Sequence, residues 1–401
     1  MPQPNTFILL IVIATAVALV TRRVPVPYTV ALVVTGIVLG ASHVVDAPHL
    51  TQPLLFAVFL PGLVFEAAFH LSWSDLRRDG AAIIALAVPG VIASIALTAA
   101  VLMLLHRWLG PDLALGWQQA LVFGAVVAAT DPIAVVSLVR SLGAPKRLAV
   151  LLEAESLLND GTAIVLLALV LTAVTGAGVS GATMAMAFVR IVGIGIAAGL
   201  ILGAGASLLT HTVDEPVIEI TLSVIAAYGS FVVADQIGGS GVIATVVAGV
   251  VYGNYGARSA MSPTTRAAAQ SFWDYVAFLL NSIVFLLIGF EVRLPGLMRR
   301  WPLIVAALAA GWVSRAIIVG SVVAAVAPTS KRVPRSWTAP LIWGGLRGAL
   351  SMVLALSLPV EFAGRDIVIA TTFGFVVLSI LLQGTTMAPL LRFAGLTSAD
   401  A

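Results

Sequence analysis

The residues able to do chemistry in this chain are gathered in one run, Glu153-Ala154-Glu155-Ser156-Leu157-Leu158-Asn159-Asp160-Gly161-Thr162. At about 100° per residue on a helix, Ser156 and Asp160 share a face, with Asn159 beside them. Carboxylate, amide and hydroxyl oxygens on one stripe suit a hard monovalent or divalent cation better than a transition metal. Glu155 points about 140° away from Asp160 on the same helix. It therefore serves a different neighbour, for which a buried arginine is the natural partner. A polar seam between two packed helices is the plainer reading, and the closeness of three acidic residues weighs against it.

Three further features carry charge inside apolar sequence. In Thr130-Asp131-Pro132, the proline lacks an N–H and its ring clashes with the carbonyl of residue 128, so a helix opens there. The freed carbonyls around Thr130 become available to a cation, and Asp131 can cap the positive end of the half-helix that follows. The plainer reading is a proline kink with Asp131 as its cap. Glu66 follows the loosening pair Pro61-Gly62, with His70 one turn on, read as solvated at a helix end. Arg315 and Arg347 are cations in apolar stretches and need counter-charges, which an internal ion pair would provide. Glu219 and Asp235 flank another apolar stretch and read as interfacial.

These residues must be positioned by membrane helices. Of 401 residues, 60% are hydrophobic and 10% charged, and the mean hydropathy is +1.09. A soluble domain carries roughly 25% charged residues, so soluble, disordered and nucleic-acid-binding classes are excluded. The net charge of +3 is scattered over short loops rather than gathered into a patch. With no cysteine, disulfides, Cys-ligated zinc and thiol catalysis fall away. A bilayer core about 30 Å thick takes about 20 apolar residues per helix. That ruler places thirteen spans, numbered here in order, at 5–21, 26–43, 50–71, 81–106, 115–139, 148–174, 182–210, 216–235, 238–254, 269–290, 301–327, 337–358 and 364–390.

The basic residues set the orientation. With the N-terminus outside, the inward loops hold Arg22, Arg23, Arg77, Arg78, Arg140, Lys146, Arg147, Arg258, Arg266, Lys331, Arg332, Arg335 and Arg392. The outward loops hold only Arg107, Arg293, Arg299, Arg300 and Arg365. This is a positive-inside bias, and the odd number of spans agrees in placing the C-terminus in the cytoplasm. One all-α, multi-pass bundle in the cell membrane, without a soluble domain, is expected. Span 5 breaks at Thr130-Asp131-Pro132 and span 12 at Gly344-Gly345-Leu346-Arg347-Gly348, seven spans apart and so in opposite directions. Matching interruptions in two halves point to an inverted-repeat secondary transporter.

Five motifs occur in order along the chain: residues 60–66, Ala129-Thr130-Asp131-Pro132, Glu155-Ser156-Leu157-Leu158-Asn159-Asp160-Gly161, Gly239-Ser240-Gly241-Val242-Ile243-Ala244 and Gly345-Leu346-Arg347-Gly348. Together they resemble the Na+/H+ exchangers of the monovalent cation:proton antiporter superfamily, with the bacterial NhaP-type members nearest. The resemblance implies about thirteen transmembrane helices in two inverted six-helix repeats, with crossed discontinuous helices, and a homodimer. It implies transport helices within 81–174 and 301–390, and dimerisation helices within 5–71 and 182–254. Asp160 would be the carboxylate shared by cation and proton. Ser156, Glu66 and the main chain at Thr130 would join it as ligands, and Asn159 would stabilise the site. Glu155 would pair with Arg315, and Arg347 would balance the helix ends at the crossing, with Asp131 at the break. Asparagine before Asp160 resembles the electroneutral branch. Two departures are Ala154, where the family often has glycine, and His70, where it often has asparagine.

Burial disfavours the charged carboxylate. A proton and a cation each neutralise Asp160, and they cannot do so together, so competition yields exchange. No G-x-x-x-x-G-K-[ST] motif occurs, so no ATP is implied, and no cofactor is expected beyond the transported ions. Exchange of Na+ or Li+ for H+ leads. K+/H+ exchange shares the same ligand chemistry, and a passive cation channel would use the broken helices as a pore. An intramembrane protease would need a catalytic constellation, for which only Asp131 and Asp160 offer themselves.

Overall fold

The computed structural model describes residues 4–24, 26–42, 51–109, 115–176, 180–292, 294–328 and 333–397. Arg293, Lys331 and Arg332, counted above toward orientation, lie outside the described residues, as does the side chain of Arg107. Helices occupy every one of the thirteen expected stretches, and no strand occurs among the described residues. Eight of these helices are by length and composition able to cross a membrane. Span 4 begins earlier than its apolar run suggests, with a helix from Trp73 that passes through residue 88 into Pro89–Leu109.

The chain forms two compact units, residues 1–52, 81–159 and 282–401 in one, and 53–80 and 160–281 in the other. The helix Lys146–Val174 carries the chain from the first into the second without interruption.

Both broken helices belong to the first unit. Span 5 is a pair of half-helices, Trp117–Val126 and Ile133–Ser141, and span 12 another, Thr338–Trp343 and Ala349–Leu356. The half-helices Ile133–Ser141 and Thr338–Trp343 are embedded in one apolar cluster that includes Val135, Val139, Leu148, Leu152, Leu341 and Leu391. In a membrane such packing rests on close contact rather than on release of water. Gly124 accordingly sits against the main chain at Ile95, where a β-carbon would collide.

The second unit packs on glycines. Gly195, Gly199 and Gly203 of the helix Gly181–Thr210 lie against Ser240, Ala244 and Ala248, four residues apart on both sides. Small residues at this spacing let two backbones approach. An aromatic cluster of Phe65, Phe69, Tyr252 and Trp273 fills the space beside them. Three wide π-helical turns, at Leu55–Phe59, Ile225–Gly229 and Tyr252–Ala260, all fall in this unit. The Tyr228 hydroxyl donates to the Val58 carbonyl (2.9 Å), tying the first two wide turns together.

Candidate cation site

Pro132 ends hydrogen bonding back into the first half of span 5, and the chain runs open from Val127 to Pro132. Open backbone at membrane depth has to be satisfied by protein groups. Arg347, 4% exposed, supplies two of them: its Nη1 donates to the carbonyls of Ala128 (2.6 Å) and Ala129 (3.0 Å). The first of these is the carbonyl that the Pro132 ring would strike in an unbroken helix. Arg347 was expected to need a counter-charge, and the negative end of a half-helix provides one in dipolar form.

Asp131 works at the opposite pole. Its N–H donates to the Leu346 carbonyl (2.7 Å), which ties the two breaks together where they cross. Its Oδ1 accepts from the Ile133 N–H (3.2 Å) at the start of one half-helix. Its carboxylate also packs on Gly348, the residue that opens the other half-helix, so closely that no β-carbon fits there. A negative group thus sits where two positive helix ends begin.

The stripe on span 6 reaches the same break. Ser156 Oγ donates to the Thr130 carbonyl, and Asn159 Nδ2 donates to Thr130 Oγ1 (2.9 Å). Thr130, Ser156 and Asn159 are each at least 96% buried. Asn159 Oδ1 is buried with no hydrogen-bond partner among the described residues. Asp160 follows Asn159 directly and lies one turn beyond Ser156, partly covered. On another face of this helix, Glu155 receives both ends of the Arg315 guanidinium, Nη1 at 2.6 Å and Nη2 at 2.7 Å. Arg315 also donates to the Leu341 carbonyl (Nη2, 3.0 Å), so the pair holds the half-helix Thr338–Trp343. Such a bidentate, fully hydrogen-bonded arrangement is what makes buried charges tolerable.

Polar side chains of one helix, Ser156 and Asn159, thus meet the open backbone of a second at Thr130. Glu155 and Arg315 neutralise each other on a different face of the same helix. The sequence profile described as "Sodium/hydrogen exchanger, transmembrane" matches residues 8–393 of this chain. The chain belongs to that family. It is a transporter, not an enzyme. Among curated relatives, the Na(+)/H(+) antiporter ApNhaP of Aphanothece halophytica is 38% identical over 92% of this chain and 70% of its own length. The Na(+)/H(+) antiporter NhaH of Halobacillus dabanensis is 34% identical over 97% of both chains. The fold is that of the sodium proton antiporter MjNhaP1 from Methanocaldococcus jannaschii, with a TM-score of 0.78 over 98% of both chains at 20% identity.

The surroundings of the other charged residues of this exchanger-family chain differ. Glu66 lies in the second unit, on the helix Leu60–His70, beside His70. His70 is not the solvated residue expected, because its side chain is only 25% exposed and carboxylates flank both ring nitrogens. Glu153 pairs with Arg140 (2.7 Å) rather than joining the stripe. Glu219, read as interfacial, is 1% exposed, because the Tyr252 hydroxyl and the surrounding helices close over that turn. Asp235 is exposed.

The sequence reading missed two residues of span 13. Ser379 Oγ accepts from the Arg347 N–H (3.2 Å) and donates to Gln383 Oε1 (2.5 Å), while Gln383 Nε2 donates to the Trp343 carbonyl (2.8 Å). They satisfy the backbone of the span 12 break from both ends. Their signal was present as a polar pair four residues apart, Gln383 being the one amide of span 13.

Proposed function

We propose that this chain exchanges Na+ or Li+ for H+ by alternating access, with Asp160 binding cation and proton in turn. The observation that carries the reading is the clamp of Ser156 and Asn159 on Thr130, which leaves a buried amide oxygen, Asn159 Oδ1, to spare next to Asp160. An oxygen-rich, sulfur-free set of this kind fits a small alkali ion. Ser156, Asn159 and the main chain at Thr130 join Asp160 as ligands. Glu66 joins them on its motif resemblance.

Cation and proton each cancel the charge of Asp160, so either loaded state crosses more readily than the empty one. Helices within 81–174 and 301–390 carry the site, and helices within 5–71 and 182–254 form the static, dimerising part. The protein works as a homodimer built on two inverted repeats, in the cell membrane, with its N-terminus outside and C-terminus inside. The names of its relatives and the distribution of basic residues support this reading.

The test uses purified protein in liposomes holding a pH-sensitive dye. NaCl, LiCl, KCl or choline chloride is added outside, across a pH gradient. Na+-dependent proton movement, absent with choline and absent in Asp160→Asn, is the expected result. A response to K+ alone makes the protein a K+/H+ exchanger. Voltage-driven current without proton coupling makes it a channel.

A further inference from the structure

A second group of ligating side chains lies wholly within the second unit. Glu66 and His70 stand one turn apart on the helix Leu60–His70, and Asp274 reaches them from the helix Pro263–Phe290. One ligand atom from each of the three lies within 4.8 Å of the others. His70 Nδ1 is 3.0 Å from the Glu66 carbonyl and 3.3 Å from Glu66 Oε1. An Nδ1–H donated to that carbonyl leaves the lone pair on Nε2, which is how metal-binding imidazoles are usually oriented. Nε2 faces Asp274 Oδ1 at 3.6 Å.

That separation is too long for a hydrogen bond. It is close to the ~3.3 Å between two donors held about 2.0 Å from one tetrahedral ion. Imidazole nitrogen with two carboxylate oxygens is a poor set for Na+ and a good one for borderline divalent ions. The edge of Phe69 against the imidazole ring, centroids 5.4 Å apart, holds it from the side.

We propose that Glu66, His70 and Asp274 bind a divalent transition ion of the Zn2+ and Co2+ class, bridging the two helices. The bound ion engages the Glu66 carboxylate and ties Leu60–His70 to Pro263–Phe290, so it inhibits exchange. The binding rests on these three residues alone, whereas the inhibition also rests on the role given to Glu66 above.

Binding is read on the purified full chain by titrating Co2+ and following its visible absorption, with Zn2+ as displacing ion. One Co2+ per chain is expected, displaced by Zn2+, with at least about tenfold weaker binding in His70→Ala and Asp274→Asn. Asp274 is 65% exposed, so its variant keeps the test readable if His70→Ala fails to fold. Equal Co2+ affinity in wild type and variants overturns the site. In proteoliposomes, Zn2+ is expected to inhibit Na+-driven proton movement, and Asp274→Asn to need about tenfold more Zn2+ while exchanging normally without it. If Co2+ binds through these residues and exchange ignores it, the metal site stands and the place of Glu66 among the Na+ ligands falls.

Discussion

At the span 5 break the charged side chain is an acid, Asp131, and at the span 12 break it is a base, Arg347; each serves the other's helix ends. The two breaks face the same physical problem, unpaired backbone in a medium without water. They differ in which groups repair them. Around span 12, Gln383 spends its amide on Ser379 and Trp343, and Ser379 serves the Arg347 N–H. Around span 5, Ser156 and Asn159 hold Thr130, yet Asn159 Oδ1 keeps a buried acceptor without a hydrogen-bond partner among the described residues. On the second half-helix of span 12, the buried Ser351 Oγ likewise has no hydrogen-bond partner among the described residues, so what sets the span 5 break apart is the polar stripe of span 6 beside it.

Substitutions can break this contrast. The largest effect is expected at Asp160, where Asp160→Asn leaves no group that trades a proton for a cation. Na+-driven proton movement in liposomes should fall to the level of protein-free vesicles, while Gln383→Leu still exchanges. Next comes the ion pair on the other face of span 6. Arg315→Met strands the buried Glu155 and should cost about 3–5 kcal/mol, read as a lowered unfolding midpoint in detergent. Glu155→Gln combined with Arg315→Met should recover part of that loss.

Smaller effects sharpen the comparison. Gln383→Leu removes the partner of the Trp343 carbonyl and should cost about 1–3 kcal/mol with little change in the Na+ concentration for half-maximal exchange. Asn159→Ala should do the reverse, raising that concentration by about tenfold (~1.4 kcal/mol) with a lesser loss of stability. If both variants shift stability and Na+ dependence alike, the distinction between a scaffold break and a site break fails. Gly348→Ala tests the crossing itself: its β-carbon would press on the Asp131 side chain, and overpacking of this kind costs about 1–3 kcal/mol.

Much of this was legible before any fold was known. Pro132 and Gly344-Gly345 announced the breaks, because a missing N–H or missing side chain acts on its own turn of helix. The stripe Ser156–Asn159–Asp160 and the outward turn of Glu155 follow from helical period alone. His70 and Glu219 were misread because both sit near the ends of apolar runs, and hydropathy does not tell a solvated end from one covered by a neighbouring helix. Ser379 and Gln383 were passed over because neutral polar residues in a long span barely disturb its hydropathy.

By itself, then, the sequence determined which segments are apolar enough to enter a membrane, where two of them open, and which face of span 6 carries its oxygen-bearing side chains. Each of these depends on local quantities: the transfer cost of each side chain, the period of a helix, the geometry of proline. Only the tertiary structure decided that Arg347 is spent on the carbonyls of Ala128 and Ala129, and it brings Arg315 to Glu155 across 160 positions of sequence, a pair that the family resemblance implied and no local quantity did. Those choices are made by which helices pack together, where a buried charge takes the partner that the packing brings within reach.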